Sequence, residues 1–179
     1  MVSAKPVFRP EDVKDLKLRL WPSETVVESW KAIGANVSII DYSEVYLALQ
    51  YGTVDALTTP ITLVYPQKFT EVAKYVTEVD TMPLVECLLI NNDIWNKLSQ
   101  EQQKIMKDTI DETGKWYNQR NSEIVDEYKK LIIGEHGASY IEINREPFIK
   151  ITQEQVIPKL IADGVIEEKY VEEVEMVRP

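Results

Sequence analysis

The residue patterns that most often signal catalysis are missing from this sequence. It contains no GxSxG nucleophile motif, no glycine-rich phosphate loop and no HExxH metal motif, and it has only six glycines. Carboxylate pairs do occur, such as Glu24 and Glu28 at helical spacing, but a chain with 30 acidic residues produces such pairs by chance. The chain is therefore not predicted to be an enzyme.

Metal and redox chemistry find equally little support. The only histidine, His136, lies in a predicted turn between two glycines and has no second histidine with which to form a metal pair. The only cysteine, Cys87, lies in an apolar run and is predicted to be a small buried hydrophobic residue. We therefore expect no metal site and no cofactor.

The overall charge limits the class of partner. The net charge is −10, and such a field repels phosphate backbones, so nucleic-acid binding is not expected. A small anion would be repelled as well, so an anionic ligand would need a local positive site. No apolar run approaches the roughly 20 residues of a membrane-spanning helix, and residues 1–13 lack the apolar stretch of a signal peptide.

The first half of the chain alternates short strands with helices. Residues 16–21 alternate leucines with Lys17, Arg19 and Trp21, which predicts a strand. Gly34 ends the helix that follows, in the usual position just past the last turn. Further strands are predicted at residues 37–40 and 54–57, with a short helix at residues 44–50 between them. Strands joined through helices predict an α/β fold in three layers, a parallel or mixed sheet flanked by helices.

The second half contains one long helical pattern. Residues 84–91 are nearly all apolar, as in a strand buried on both faces. Ser99 and Gln102 fit a capping box, and the pattern that starts there continues to about Ile133, far beyond the average of about 11 residues. A helix of that length would cross from one lobe to another. A strand at residues 139–143 and helices at 146–162 and 167–177 complete the chain.

Two segments together carry a family pattern. The first is DLKLRLWP at residues 15–22, and the second is SEVYLALQ at residues 43–50, followed by Gly52, Val54-Asp55 and Pro60. In order and spacing they resemble the second lobe of the solute-binding subunits of tripartite TRAP transporters, of the C4-dicarboxylate type. The resemblance implies a periplasmic-binding-protein fold whose two lobes close on a ligand and are linked by a long helix.

The resemblance also implies which residues bind the ligand. Arg19 would form a bidentate salt bridge with a carboxylate, because its rigid fork of donors matches that group and a lysine does not. Tyr42 falls where the family often has an aromatic pocket residue, and Thr59 where many members have an asparagine that bonds the ligand. Trp21, on the same strand as Arg19, is a further candidate. The alternatives are a surface cation for Arg19 and a packing role for Tyr42.

The implied function is capture of a small organic-acid anion in the periplasm for delivery to TRAP membrane subunits. Family members have an entire lobe ahead of the arginine strand, whereas only residues 1–9 precede it here, so half of the cleft is expected to be missing from this chain. Residues 10–84 and 122–179 would form the second lobe with the crossing helix. Residues 85–121 would be a remnant of the first lobe.

The missing lobe leads to a prediction about assembly. Without it, the predicted strand at residues 84–90 would expose an open edge beside an apolar face. A second copy could cover both, so we predict a homodimer through this strand and the helix after Ser99, with weak affinity for organic acids. The alternative is a truncated, dimerising or adaptor module of the same fold that binds no ligand.

Overall fold

The computed structural model describes residues 1–80 and 85–177. The strands in this part of the chain are β1 (Val2–Ser3), β2 (Lys17–Leu20), β3 (Asn36–Ile39), β4 (Ala56–Leu57), β5 (Tyr75–Glu78) and β6 (Ser139–Glu142). They form one sheet in the spatial order β3-β2-β4-β1-β5-β6. Strand β2 pairs in parallel with β3 and β4, and β5 pairs in parallel with β6. Strand β1 lies antiparallel between β4 and β5.

Helices connect the strands and cover the sheet. They are α1 (Glu24–Ile33), α2 (Val45–Gln50), α3 (Ile61–Val64), α4 (Phe69–Val72), α5 (Asn92–Trp95), α6 (Gln100–Gly134), α7 (Glu146–Ile151), α8 (Ile157–Ala162) and α9 (Glu168–Val177). A π-helical stretch joins α7 to α8, and short 3-10 turns precede β2 and α2. Across residues 1–80 and 85–177, no helix is both long and apolar enough to cross a membrane.

A hydrophobic core lies on each face of the sheet. Leu18 and Leu20 of β2 pack with Trp30 of α1 in the first core. The second core contains Phe69 of α4 and Ile132 of α6. Because side chains alternate along a strand, neighbouring residues of one strand contribute to different cores. The prediction of three layers, with helices on both faces of a mixed sheet, is confirmed.

The predicted elements of the first half are present with shifted ends. The predicted strands at residues 16–21, 37–40 and 54–57 correspond to β2, β3 and β4, and all three lie in the same sheet. Gly34 ends α1 with a φ of 115°, in the left-handed region that glycine adopts without strain. Strands β1 and β5 were not predicted. With two residues, β1 is too short to show an alternating pattern.

The long helix begins at the residue that the capping box predicts. Helix α6 has 35 residues. The Gln102 backbone N–H donates to Ser99 Oγ at 3.2 Å, and the Ser99 backbone N–H donates to Gln102 Oε1 at 2.8 Å. The C-terminal part of α6 packs on the sheet through Ile132, whereas residues 107–120 are exposed throughout. The prediction of one long helix after Ser99 is confirmed.

Two predictions for the segment before α6 are wrong. Residues 85–91 form no regular secondary structure, so the strand predicted over 84–91 is not formed; residue 84 lies outside the described residues. Cys87, predicted to be buried, is exposed. Nearby, Leu88 is 76% exposed and Leu89 is 93% exposed. The apolar composition indicated burial, but the described residues supply no surface to cover this run.

Candidate functional site

The carboxyl ends of β2, β4 and β5 meet at one edge of the sheet. In open α/β sheets, ligands bind in the crevice outside this edge. A groove of about 480 Å³ lies here, a volume typical of small-molecule sites. The residues that line it and carry polar or aromatic chemistry include Trp21, Thr58, Thr59, Glu78, Lys129 and Tyr140.

Arg19 of β2 lies beside this groove on the face of the second core. Its side chain is buried, with only 5% of the residue exposed. Its Nε donates a hydrogen bond to the Ile40 carbonyl at 2.8 Å, and the guanidinium carbon lies 5.4 Å from the centre of the Tyr42 ring. Burial lowers the pKa of Arg19, and the nearby Tyr42 and Asp41 act in the opposite direction. The alternative of a surface strand cation is therefore wrong.

Arg19 lacks the carboxylate that normally accompanies a buried cation. Within residues 1–80 and 85–177 it forms no ion pair, and its terminal Nη groups donate no hydrogen bond. Buried arginines are nearly always paired, because an uncompensated charge in the interior is costly. The two outer nitrogens of the fork are thus available to a group that the described chain does not provide.

Tyr42 and Thr59 extend the contacts of Arg19 to the groove. The Tyr42 hydroxyl lies 3.4 Å from Thr59 Oγ1. The Tyr42 ring also meets the edge of Phe69 at 5.8 Å between centroids, so this tyrosine has a packing role as well as a polar contact. The structure thus brings together Arg19, Tyr42 and Thr59. Trp21 joins them only at the groove, which it lines with Thr59, while Arg19 and Tyr42 lie outside the groove lining.

Several groove residues were missed by sequence reasoning. Thr58 is 5% exposed, and its Oγ1 is a buried atom without a hydrogen-bond partner in the described chain. The one feature of the sequence that points to Thr58 is its position next to Thr59. Glu78, Lys129 and Tyr140 lie on β5, α6 and β6. Only the fold brings these distant segments together, so no spacing in the sequence marks them.

A larger cavity, of about 580 Å³, lies between α1 and α7 and shares Val79 and Asp80 with the groove. Trp30 and Phe148 contribute to its wall. Arg145, the cation that lines it, forms an ion pair with Asp80. Among the described residues, this cavity therefore offers no unpaired cation to an anionic ligand. We place the candidate site in the smaller groove, because that groove adjoins the unpaired guanidinium of Arg19.

Comparison with known proteins identifies the family of the chain. The bacterial extracellular solute-binding proteins of family 7 match residues 1–162. The chain belongs to this family. This match and the TRAP solute-binding proteins of known structure described below confirm the resemblance to TRAP solute-binding subunits, and the family is one of binding proteins and not of enzymes.

Individual relatives show how much of such a protein the chain represents. It is 32% identical over 166 residues to the 2,3-diketo-L-gulonate-binding periplasmic protein of Escherichia coli. The matched region covers 90% of this chain and 49% of that protein. It is 33% identical over 98 residues to the C4-dicarboxylate-binding periplasmic protein of Rhodobacter capsulatus, covering 55% of this chain and 29% of that protein. The chain spans about half the length or less of these curated relatives.

Solved structures show the same fold. A TRAP periplasmic solute-binding protein from a Sulfitobacter species, with bound β-D-galacturonate, superposes with a TM-score of 0.84 at 26% identity; the match covers 90% of this chain and 53% of that one. A second such protein, from Chromohalobacter salexigens, reaches a TM-score of 0.91 at 22% identity and covers 99% and 58% of the two chains. The second likeness concerns the fold alone.

Proposed function

We propose that this chain is the arginine-bearing lobe of a solute-binding protein that captures a small organic-acid anion for a TRAP transporter. The observation that carries the proposal is the buried guanidinium of Arg19, which has no carboxylate partner among the described residues. A ligand carboxylate would supply that partner through two parallel hydrogen bonds. Tyr42 and Thr59 would line the same position, and Trp21 would cover the groove side.

The relatives support the chemical class of the ligand. The Escherichia coli relative is named for binding 2,3-diketo-L-gulonate, and the Sulfitobacter structure contains β-D-galacturonate. Both compounds are organic acids with one carboxylate. The proposal extends to the periplasm as the location and to TRAP membrane subunits as the partners, since these relatives are periplasmic binding proteins.

The distribution of exposure supports a division into two lobes. Residues 10–84 and 122–179 contain β2 to β6 and most members of both cores, and we propose that they form one lobe with the crossing helix. Residues 85–121 would belong to the other lobe. In this segment the helix is exposed at every residue from 107 to 120, as expected of a surface that another lobe covers.

An NMR titration of the 179-residue chain tests the ligand proposal. We expect D-galacturonate and succinate to shift backbone amide signals around Arg19, Tyr42 and Thr59, with affinity weaker than micromolar because a groove on one lobe does not enclose a ligand. Galactose, which has no carboxylate, is the control and should leave these signals unchanged. Equal shifts with galactose, or none with either acid, would contradict the proposal.

A second candidate function is a dimerising or adaptor module without a ligand, favoured by the exposed apolar run before α6. Val85, Leu88 and Leu89 are each at least 76% exposed. Each roughly 100 Å² of apolar surface left in water forgoes about 2.5 kcal/mol of burial. We propose that two copies of the chain cover this run against each other, together with part of α6. The absence of the predicted strand removes the edge-pairing argument and leaves the apolar one.

Light scattering at tens of micromolar tests the homodimer. We expect twice the mass of the chain, and a Leu88→Glu, Leu89→Glu variant should return to the monomer because it places charges in the interface. Leu63→Glu is the matched control, since Leu63 is a partly exposed leucine outside this run. A monomeric parent chain would exclude the homodimer.

A further inference from the structure

Glu78, Lys129 and Tyr140 form a second polar cluster in the groove. They come from β5, α6 and β6 and all line the cavity that Thr59 shares. Lys129 Nζ lies 3.4 Å from Glu78 Oε2 and 4.6 Å from the centre of the Tyr140 ring. The Tyr140 hydroxyl donates a hydrogen bond to the same oxygen of Glu78. The cluster therefore presents a paired anion and cation to the groove.

The cluster is electrically neutral near neutral pH. The hydrogen bond from Tyr140, followed by the proximity of Lys129, lowers the pKa of Glu78, so this carboxylate is ionised. The hydrogen bond with Tyr140 is the largest cause that raises the pKa of Lys129, so its ammonium stays protonated. Burial and the Glu78 carboxylate raise the pKa of Tyr140 to about 12, so its hydroxyl is uncharged.

This arrangement favours neutral polar groups over ions. A carboxylate placed beside Lys129 would also lie beside Glu78, and an ammonium beside Glu78 would lie beside Lys129. Either ion meets repulsion that offsets the attraction. A ligand hydroxyl is uncharged, so neither Glu78 nor Lys129 repels it. The same hydroxyl group can donate a hydrogen bond to Glu78 and accept one from Lys129.

Thr58 gives independent evidence that a polar group of the ligand occupies this part of the groove. Its buried Oγ1 has no partner among the described residues, although it lines the same groove. A buried hydroxyl without a hydrogen bond is costly, and such groups are nearly always satisfied. A threonine hydroxyl can both donate and accept a hydrogen bond, and so can a ligand hydroxyl, so the two groups can pair in either direction.

We infer that the groove selects a monocarboxylate that bears hydroxyl groups, an acid of the sugar-acid class, in preference to a dicarboxylate. This inference rests on the proposed function, since the single carboxylate is the one that Arg19 receives. The hydroxyl groups then reach Thr58 and the neutral cluster of Glu78, Lys129 and Tyr140. A second carboxylate finds no unpaired cation among the described residues in that part of the groove.

The test compares three acids with six-carbon chains by NMR titration of the 179-residue chain. D-Gluconate has one carboxylate and several hydroxyls, hexanoate has one carboxylate and none, and adipate has two carboxylates and none. We expect gluconate to bind about tenfold more tightly than either other acid, the effect of a charge-assisted hydrogen bond. Adipate or hexanoate binding as tightly as gluconate would overturn the inference.

A charge-removing variant sharpens the test. Glu78→Gln leaves Lys129 without its anion, so we expect adipate to gain affinity relative to gluconate by about tenfold. The matched control is Glu71→Gln: Glu71 accepts a hydrogen bond from the Tyr46 hydroxyl at 3.1 Å and pairs with Lys68 at 3.6 Å, away from the groove residues. This control should leave the ratio unchanged.

The outcomes separate the inference from the proposed function. Failure of all three acids to bind would overturn both. Binding that Arg19→Ala abolishes, but without preference for gluconate, would overturn the inference and leave the proposed function standing. Equal changes in Glu78→Gln and Glu71→Gln would also overturn the inference, because the groove cluster would then have no special role.

Discussion

Arg19 and Lys129 are two cations beside one groove, and they differ in what accompanies them. Arg19 is buried and forms no ion pair in the described chain, whereas Lys129 is partly exposed and pairs with Glu78. A cation without a counter-ion is poised for an anionic ligand, and a paired one contributes hydrogen bonds without net charge. Two cations beside the same groove can therefore have different roles, depending on whether the fold has already neutralised their charge.

Removal of the Arg19 side chain should produce the largest effect. Arg19→Ala deletes a charge-assisted contact of about 1.5–3 kcal/mol, so the affinity for D-galacturonate should fall about ten- to a hundredfold. NMR titration of both proteins measures the change. Arg120→Ala is the control, because Arg120 is an exposed arginine on α6 that pairs with Glu123. Unchanged affinity in Arg19→Ala would remove this residue from the site.

Replacement of the fork by a single charge tests the geometry of the contact. Arg19→Lys keeps the positive charge but loses the parallel donors, so we expect most of the loss seen in Arg19→Ala, about tenfold or more. The same titration serves, with Arg120→Lys as the control. Full retention of affinity by the lysine variant would show that charge alone is recognised.

Substitution of Thr58 and of Thr70 by valine should change the free energy of unfolding in opposite directions. Thr58→Val removes an unpartnered buried hydroxyl, so the free energy of unfolding should stay level or rise by up to about 1 kcal/mol without ligand. Thr70→Val removes a buried hydroxyl that lies 2.6 Å from His136 Nδ1, and it should cost about 1–2 kcal/mol. Urea unfolding of both variants measures the difference. A large loss in Thr58→Val would show that its hydroxyl is satisfied in the absence of ligand.

The smallest expected effect concerns the acid stability of the neutral cluster. The folded-state pKa of Glu78 is lowered from its ordinary value of 4.5, so its contribution is complete above that value and is lost as the pH falls through the lower folded pKa. Urea unfolding from pH 6 to pH 3 should therefore show a steeper decline for the parent than for Glu78→Gln. Parallel pH profiles for the two proteins would contradict this assignment.

Local signals in the sequence predicted the parts of the fold that local physics controls. Gly34 ends α1 and Ser99 starts α6, because a left-handed turn and a capping box depend on a few adjacent residues. The prediction of a buried strand is wrong for the described residues 85–90 of the apolar run, because burial depends on a surface elsewhere in the molecule. Arg19, Tyr42 and Thr59 were named through the family pattern, and the fold brings them into contact.

The rest of the site depends on long-range contacts. Glu78, Lys129 and Tyr140 are neighbours only because β5 pairs with β6 and α6 packs above them. Each alone has the character of an ordinary surface residue on its element. The unpartnered hydroxyl of Thr58 is likewise invisible in the sequence, since it follows from which groups fail to reach it.

Strand β1 has a consequence for the cooperativity of the lobe. In the described chain, Val2 and Ser3 supply the only ladder between β4 and β5, and so between the group β3-β2-β4 and the pair β5-β6. If this two-residue segment detaches, the sheet separates into β3-β2-β4 and β5-β6, and each part can then unfold locally without the other. Amide hydrogen exchange would then report two protection levels, where an intact ladder gives one. The pairing of β5 and β6 with the rest of the sheet thus depends on a short N-terminal segment, in which Met1 also bonds Thr77 and Ala4 bonds Asp55.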